Sequence, residues 1–182
     1  MRPAKVVHTI TGPAAIPDDN RILYFQRDRA GFSFLSHYYA ASIEIDGETW
    51  PTVEHFYQAQ KSPDPEYRAA IRAAVHPSLA KQLAAAPEAP SKVSKRSWFK
   101  ISGVRPRADW DTVKVEVMRR GDIAKFRQHA DLAALLLATR TAVLIEDSRL
   151  DSFWGTGENG TGLNWAGRIL MEIRESLSIS RG

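Results

Sequence analysis

Prolines flank residues 52–61 on both sides, Pro51 before them and Pro63 and Pro65 after them, and they limit this stretch to one short helix. The pair Pro51-Thr52 is typical of a helix start, with the Thr52 hydroxyl as the N-cap and the first turn opening at residue 53. Pro63 and Pro65 end the helix soon after residue 61, because proline lacks a backbone N–H and disfavours helical geometry in the residue before it. The sequence therefore predicts a short helix that starts at residue 53.

Three polar side chains share one face of this predicted helix. Glu54, Gln58 and Lys61 are spaced i, i+4 and i+7, so a carboxylate, an amide and an amine lie along one stripe. Aromatic residues neighbour them in the sequence, which is unusual for a face turned toward solvent. The alternative is an exposed Glu–Gln–Lys stripe of the kind found on most surface helices, and the helix alone leaves both interpretations open.

Composition narrows the classes of protein to consider. A length of 182 residues fits one domain with a proper core. The lack of cysteine removes disulfides, thiol nucleophiles and cysteine-bound metals, and it suits a cytoplasmic protein. No run is apolar enough to span a membrane, and the N-terminus has no apolar segment typical of a secretory signal. The net charge of +4 permits an anionic partner without requiring one.

The pattern along the chain predicts a mainly helical protein with a few short strands. We predict a strand at 22–25 and a hairpin at 43–50 with its turn at Asp46-Gly47. Helices are predicted at 65–74, 77–86, 109–126, 132–139 and from 164 onward. The segment at 142–145 is either a strand or a helix end. Residues 1–20 are expected to form a loose tail and 87–108 a long loop, and Gly121 is expected to disturb the fourth helix. The lack of βαβ alternation argues against a doubly wound sheet.

A glycine-rich stretch at 151–164 is the second informative segment. Gly155, Gly157 and Gly160 spell G-x-G-x-x-G, but a dinucleotide site also needs a βαβ unit that this chain lacks. Glycines still let backbone N–H groups approach an oxygen-rich ligand, and a helix N-terminus favours phosphate. Trp154 beside them offers a stacking face. The alternative is a connecting turn with Trp154 in the core, and the residues alone do not decide between the two.

Several motifs in order give the chain a resemblance to the NADAR superfamily, also called YbiA-like, over roughly residues 22–177. They are Leu35-Ser36-His37-Tyr38, Ile45-Asp46-Gly47-x-x-Trp50-Pro51-Thr52-x-Glu54-His55-x-x-Gln58-Ala59-x-Lys61, Trp110-x-x-Val113-Lys114-x-x-x-Met118, Ala124-Lys125-Phe126 and Asp151-x-x-Trp154-Gly155-x-Gly157-x-x-Gly160-x-Gly162-x-Asn164-x-x-Gly167. The chain departs from the family pattern at His37, where asparagine is usual, and at Ala166, where leucine is common. A Gly-Arg pair usual after the Ala80-Lys81 region has no clear counterpart.

The resemblance implies a compact helical YbiA-like fold, a single catalytic domain at residues 21–180, and cleavage of the bond between a ribose-type sugar and a base nitrogen. Our first expectation is removal of ADP-ribose from ADP-ribosylated guanine in DNA, by an antitoxin that acts against an ADP-ribosyltransferase toxin. The alternatives are cleavage of ribosylamino-pyrimidine phosphates of riboflavin biosynthesis, or a non-catalytic module that binds ADP-ribose or NAD. No metal or organic cofactor is expected.

The expected chemistry assigns roles to three residues. Bond cleavage develops positive charge at the anomeric carbon, so Glu54, kept ionised by the helix dipole, and Asp151 could stabilise that charge or direct water. Lys61 could instead attack an opened sugar and form a Schiff base, a role that chiefly the resemblance suggests. The alternatives are a salt bridge for Lys61 and an Asx turn for Asp151. We expect all three to converge on one sugar carbon.

Other residues are weaker candidates for binding. The expected substrate contacts are Phe25, Ser36, His37, Trp50, Tyr57, Gln58, Trp154, Gly155, Gly157 and Asn164. His55 is as readily structural as functional, and Trp110 and Met118 are expected in the helix core rather than in a pocket.

A basic segment follows the third helix. No acid falls between Lys92 and Arg107, and basic residues alternate with aromatic ones, a pattern that suits phosphate contacts and base stacking. We therefore expect Lys95, Arg96 and Trp98 to contact nucleic acid, with a solvated basic loop as the alternative.

Overall fold

The computed structural model describes residues 22–26, 31–90, 92 and 95–179, so the predicted tail at 1–20 lies outside the described residues. The chain divides into two compact units. The central unit runs from His37 to Ala133, and the terminal unit comprises the chain up to Ser36 together with the chain from Ala134 onward. Within the described ranges, no helix has both the length and the apolar character needed to cross a membrane.

The described elements are mainly helices. In chain order they are β1 (Ile22–Phe25), a short 3-10 helix (Ser33–Leu35), β2 (Ile43–Ile45), β3 (Glu48–Trp50), α1 (Val53–Ala59), α2 (Pro65–Arg72), α3 (Pro77–Leu83), α4 (Trp98–Ser102), α5 (Trp110–Gln128), α6 (Ala130–Ala138), β4 (Val143–Glu146) and α7 (Trp165–Ile179). The predicted helical fold class is confirmed, as are the strand at 22–25, the hairpin and the helix starts at 53, 65 and 77. A single domain from 21 to 180 stays a prediction.

The predicted long loop at 87–108 is wrong in part, because it contains α4. The Ser97 hydroxyl accepts a hydrogen bond from the N–H of Lys100 at 3.3 Å and so caps this helix. Phe99 is buried and stacks on Tyr67, with ring centroids 4.7 Å apart. A cap and one buried aromatic therefore stabilise five helical residues within a stretch that prolines interrupt.

In the terminal unit, β1 pairs in parallel with β4, in the register that joins Ile22 to Val143. Helix α7 packs against β4 with Gly167 at the contact. A Cβ at Gly167 would lie 2.0 Å from the Leu144 carbonyl oxygen, so only glycine allows this close approach. The parallel pairing is not identifiable from the sequence, because the 117 residues from 26 to 142 separate the two strands.

In the central unit, α1 is surrounded by other elements and all seven of its residues are buried. Thr52 caps it as predicted, accepting a hydrogen bond from the N–H of His55 at 3.2 Å. Helix α5 runs without interruption through Gly121, contrary to the expected disturbance. A Cβ there would lie 2.9 Å from Cγ1 of Val53, so the glycine serves close packing of α5 on α1.

Candidate active site

Helix α1 presents its polar face to the interior of the central unit. Glu54 is 4% exposed and Gln58 is 3% exposed, so the alternative of a solvent-exposed stripe is wrong. A buried carboxylate is unfavourable unless it is hydrogen-bonded. The burial of Glu54 therefore favours a role in a binding or catalytic site over a place on a surface helix.

Gln58 supplies the hydrogen bond that Glu54 needs. Its Nε2 donates to Oε1 of Glu54 at 2.8 Å, as the i, i+4 spacing predicts. This bond fixes the orientation of the Gln58 amide, so its Oε1 faces away from Glu54. That oxygen is buried and has no hydrogen-bond partner among the described residues. An orphaned buried acceptor indicates a place where a ligand hydroxyl or N–H could donate.

Lys61 lies just beyond the C-terminal end of α1. Its Nζ donates to the Ala84 carbonyl at 3.1 Å and lies 5.8 Å from the centroid of the Trp110 ring. Burial lowers the Lys61 pKa to about 8, with smaller contributions from the charges of Lys81 and Lys114 and an opposing one from Glu54. A lysine with such a pKa has a substantial neutral fraction near neutral pH, which is the form that acts as a nucleophile.

Tyr57 and Trp110 form an aromatic wall beside this amine. Their ring centroids are 4.9 Å apart, and Trp110 is half-buried rather than part of the core. The expectation that Trp110 belongs to the helix core is therefore wrong, whereas Met118 on the same helix is buried as expected. The feature of the sequence that points to a role for Trp110 in the site is its place in the family motif that also contains Lys114.

Two histidines of the central unit, His37 and His55, are buried and hydrogen-bonded within it. His55 donates from Nε2 to the Ala74 carbonyl at 3.0 Å, and its Nδ1 lies 2.8 Å from the Thr52 hydroxyl. Burial lowers the His55 pKa, which favours the neutral ring. His37, expected to bind substrate, is 5% exposed and donates from Nε2 to Oδ2 of Asp122 at 3.0 Å. Both rings are therefore committed to the protein interior.

Three further expected substrate contacts are also buried. Phe25 and Trp50 are 0% exposed and Ser36 is 3% exposed. The two aromatic rings have no open face for a base, so the structure does not support their expected stacking role. Both pack into the core because a large apolar ring gains more from full burial than from a binding surface.

The glycine loop lies in the terminal unit. Asp151 Oδ1 accepts hydrogen bonds from the N–H groups of Phe153 and Trp154 at 3.0 and 2.8 Å. This is the Asx turn foreseen as the alternative, and the catalytic role of Asp151 stays a prediction. The N–H groups of Gly157 and Gly162 donate to the carbonyls of Asp151 and Thr156. These N–H groups are hydrogen-bonded within the loop itself, so they do not support the expected contact with phosphate.

Asn164 connects the loop to the parallel strands. Its Oδ1 accepts from the N–H of Glu146 at 3.0 Å, and its Nδ2 donates to the Leu144 carbonyl at 2.9 Å. Both ends of the amide thus hold β4, which explains the residue without a ligand. A pocket of about 340 Å³ lies within the loop, lined by Ser152, Phe153, Thr156, Gly157, Glu158, Asn159, Thr161, Gly162 and Leu163. Trp154 and Gly155 do not line it, and their expected contacts with substrate stay predictions.

The basic segment is attached to α1 at two points. Tyr67, on which Phe99 stacks, donates from its hydroxyl to the Gln58 carbonyl at 2.7 Å. The N–H of Arg107 donates to the Lys61 carbonyl at 2.7 Å. The middle of the segment, at Phe99, and its end, at Arg107, are therefore connected to the backbone at Gln58 and Lys61.

Within this segment, Lys95 and Arg96 are exposed, and Trp98 is half-buried with its indole N–H enclosed. The guanidinium of Arg107 is paired with Asp109 at 2.6 and 2.7 Å. Arg107 is thus less available to a nucleic acid than its place in the basic run predicts. The exposed cations of the segment are Lys92, Lys95, Arg96, Lys100 and Arg105.

Comparison with known proteins identifies the family of the chain. The family model of the NADAR domain matches residues 23–178. N-glycosidase YbiA of Shigella boydii serotype 4 is 40% identical over 160 residues, which cover 88% of this chain and 91% of that protein. The NMR structure of the Escherichia coli protein YbiA superimposes with a TM-score of 0.76 at 38% identity, covering 92% of this chain and 90% of that one.

A longer relative also matches. The riboflavin biosynthesis protein VVA0006 of Vibrio vulnificus is 37% identical over 155 residues, which cover 85% of this chain but 38% of that protein. The chain therefore resembles one portion of a protein whose name assigns it to riboflavin biosynthesis.

Proposed function

The chain belongs to the NADAR family, and on that premise we propose that it is an N-glycosidase whose reaction takes place at the polar face of α1. The observation that carries this proposal is the buried Glu54–Gln58 pair in the same unit as Lys61, whose pKa is lowered to about 8. A carboxylate, an amide oxygen without a partner among the described residues and a nucleophilic amine can together cleave a ribose–nitrogen bond. The similarity to a protein named N-glycosidase YbiA supports the same activity.

Lys61 is proposed as the covalent nucleophile. Opening of the sugar ring leaves the anomeric carbon doubly bonded to the base nitrogen, and the neutral Lys61 amine adds to that carbon. The two amine protons pass to the base nitrogen, the bond from the carbon to that nitrogen breaks, and the carbon stays bound to Lys61 as an imine. Water then hydrolyses the lysine imine, which returns the free amine and releases the sugar. The lowered pKa and the contact with Trp110 support this role, because a desolvated amine is the more reactive one.

Glu54 is proposed to stabilise the positive charge at the anomeric carbon and to direct the water. The Gln58 oxygen, which lacks a partner among the described residues, is proposed to accept a hydrogen bond from a sugar hydroxyl or a base N–H. The half-buried ring of Trp110, packed on Tyr57, provides the aromatic surface for the base. Direct hydrolysis without a lysine adduct, with Glu54 or Asp151 directing water, is the alternative mechanism.

The substrate we propose is ADP-ribosylated guanine in DNA. The support is the basic segment, which exposes Lys95 and Arg96 and is attached to Gln58 through Tyr67 and to the Lys61 carbonyl. Such a segment would hold the phosphates on either side of a modified base, while the base enters the site. Under this proposal the protein reverses the action of an ADP-ribosyltransferase toxin.

A second candidate substrate is a ribosylamino-pyrimidine phosphate. The observation that favours it is the match to the riboflavin biosynthesis protein of Vibrio vulnificus. This small molecule would use the same polar face and would not need the basic segment.

One experiment separates these proposals. The purified protein is incubated side by side with an ADP-ribosyl-guanine oligonucleotide and with the ribosylamino-pyrimidine phosphate, and the released base is quantified. Release of ADP-ribose from the oligonucleotide, at a rate that falls with salt, supports the DNA proposal. Release from the pyrimidine alone supports the second candidate. Binding of ADP-ribose without cleavage of either substrate would contradict the enzyme proposal and leave a binding module.

A further inference from the structure

The backbone of Glu54 is held from outside its own helix. The first N–H groups of a helix have no partner within it. In α1 the Thr52 hydroxyl takes the N–H of His55, and the His37 carbonyl takes the N–H of Glu54 at 3.1 Å. The position of Glu54 therefore depends on a residue seventeen places earlier in the chain.

His37 is in turn fixed by Asp122 on α5. Its Nε2 donates to Oδ2 of Asp122 at 3.0 Å, and the two side chains are 6% and 0% exposed. The second oxygen, Oδ1, is buried without a hydrogen-bond partner in the described part of the chain. Because a buried carboxylate loses its solvation, its bond to His37 is strongly favoured over an unpaired state. Asp122 therefore restrains His37 firmly.

Close packing places Asp122 where it can reach His37. The neighbouring Gly121 approaches the first turn of α1 so closely that a Cβ would lie 2.9 Å from Val53 and 3.2 Å from Phe56. These two residues flank Glu54 in the sequence. Helix α5 thus contacts the turn that carries Glu54 and also holds the residue that accepts its N–H.

We propose that Asp122 and His37 are positioning residues for the reaction: Asp122 fixes His37, and the His37 carbonyl fixes the backbone of Glu54. This inference rests on the proposed function of Glu54. Nε2 of His37 and Oδ2 of Asp122 are bonded to each other, so we assign the two side chains to the placement of the Glu54 carboxylate relative to Gln58. A misplacement of about 1 Å in a catalytic group lowers turnover on the order of a hundredfold.

Two substitutions of His37 test the proposal. His37→Gln places an amide nitrogen near the position of Nε2 and keeps a donor for Asp122, so kcat should stay within about threefold of wild type. His37→Leu removes the donor, and kcat should fall about ten- to a hundredfold with KM nearly unchanged. Wild-type kcat in His37→Leu would overturn the proposal. A rise in KM with unchanged kcat would also overturn it, because it would indicate a direct substrate contact.

A matched control removes a different buried hydrogen bond of the central unit. Ser97 is 0% exposed and its hydroxyl donates to the Ala85 carbonyl at 2.6 Å. Ser97→Ala should lower the melting temperature without the loss of kcat seen in His37→Leu. An equal loss of kcat in the control would show that general destabilisation explains the effect. If His37→Leu does not fold, Asp122→Asn is tested in its place. We expect a several-fold loss of kcat in Asp122→Asn, and wild-type kcat in that variant would contradict the proposal.

A second measurement does not depend on activity. Glu54 raises the Lys61 pKa, whereas burial, Lys81 and Lys114 lower it. If His37 fixes Glu54, the Lys61 pKa measured by NMR on lysine labelled with ¹³C should change in His37→Leu and stay unchanged in His37→Gln. Equal pKa values in both variants would overturn the positioning role. If the Lys61 pKa changes in His37→Leu but the wild-type protein cleaves no N-glycoside, the positioning role stands and only the proposed function is contradicted.

Discussion

Nε2 of Gln58 donates to Oε1 of Glu54 at 2.8 Å inside the central unit. This one bond orients two groups, because it restrains the carboxylate and turns the Gln58 oxygen toward a position where the described chain offers no donor. The pair lies on a helix whose every residue is buried. An ion in such surroundings would be a poor choice for stability alone, which supports a catalytic use.

Replacement of Glu54 by glutamine should abolish most activity without unfolding the protein. The substituted amide keeps the size of the side chain and can still accept from Gln58, but it carries no charge to stabilise the transition state. We expect kcat to fall by about 10²- to 10⁴-fold, measured as released base, with an unchanged circular dichroism spectrum. Wild-type turnover in this variant would remove Glu54 from the mechanism.

Replacement of Gln58 by glutamate should shift the pH dependence. It places a second carboxyl group within hydrogen-bond distance of Glu54, and two such groups in contact cannot both ionise readily. One of them should hold a proton at neutral pH, so the acid limb of the kcat profile should move to higher pH. Gln58→Leu is the comparison, because it also removes the amide but adds no acid, and loss of the hydrogen bond alone should move the acid limb less than Gln58→Glu does.

Activity should rise with pH through the titration of Lys61. The neutral amine is the nucleophile, and its pKa of about 8 sets the midpoint of the rise. The charge of Lys81 contributes to lowering that pKa, so Lys81→Ala should move the midpoint to higher pH. A profile that is flat between pH 7 and 9 would contradict the role of Lys61.

Stability should increase as the pH rises from about 8 to about 10.5, because of Lys125. This lysine is fully buried, and burial lowers its pKa from 10.5 to about 8, with Asp122 opposing that effect. Between these values the unfolded chain binds more protons than the folded one, so the free energy of unfolding rises with pH. Lys61 contributes with the same sign.

Lys125 contributes at most about 3 kcal/mol to the rise in the free energy of unfolding with pH. Lys125→Met should remove that part of the rise. Urea unfolding at pH 7.5 and pH 10 measures it. An identical increase in wild type and Lys125→Met would show that Lys125 is not the group responsible.

Charge reversal in the basic segment should weaken binding of an ADP-ribosylated oligonucleotide. Lys95→Glu combined with Arg96→Glu removes two exposed cations, so the slope of log affinity against log salt should fall by about 1.5 to 2. Arg127 is exposed on α5, and Arg127→Glu serves as the control, with little change in slope expected. Equal slopes for the double variant and wild type would exclude the segment as the DNA contact.

Local chemistry in the sequence was sufficient to predict several elements. The Asp46-Gly47 turn has positive φ at both residues, as the hairpin signal requires. The Thr52 cap forms as expected. Helix α4 was missed because its stability comes from Ser97 and from the distant ring of Tyr67.

The interior of the site could be predicted only in part. Helical spacing brought Glu54 and Gln58 together, but periodicity cannot show that neighbouring helices bury a polar face. The bond between His37 and Asp122 joins residues 85 positions apart, and no local pattern signals such a pair. Phe25 and Trp50 were misassigned for a related reason, since an aromatic residue in a core and one in a binding site look alike in sequence.

The most direct test of the account is to trap the sugar on Lys61. The protein is incubated with the substrate that it cleaves in the presence of sodium cyanoborohydride, which reduces a lysine imine to a stable amine, and the digested protein is analysed by mass spectrometry. The account predicts a sugar adduct on the peptide that contains Lys61, and neither adduct nor turnover in Lys61→Arg. Continued turnover in Lys61→Arg, together with no adduct on the wild-type peptide, would contradict it.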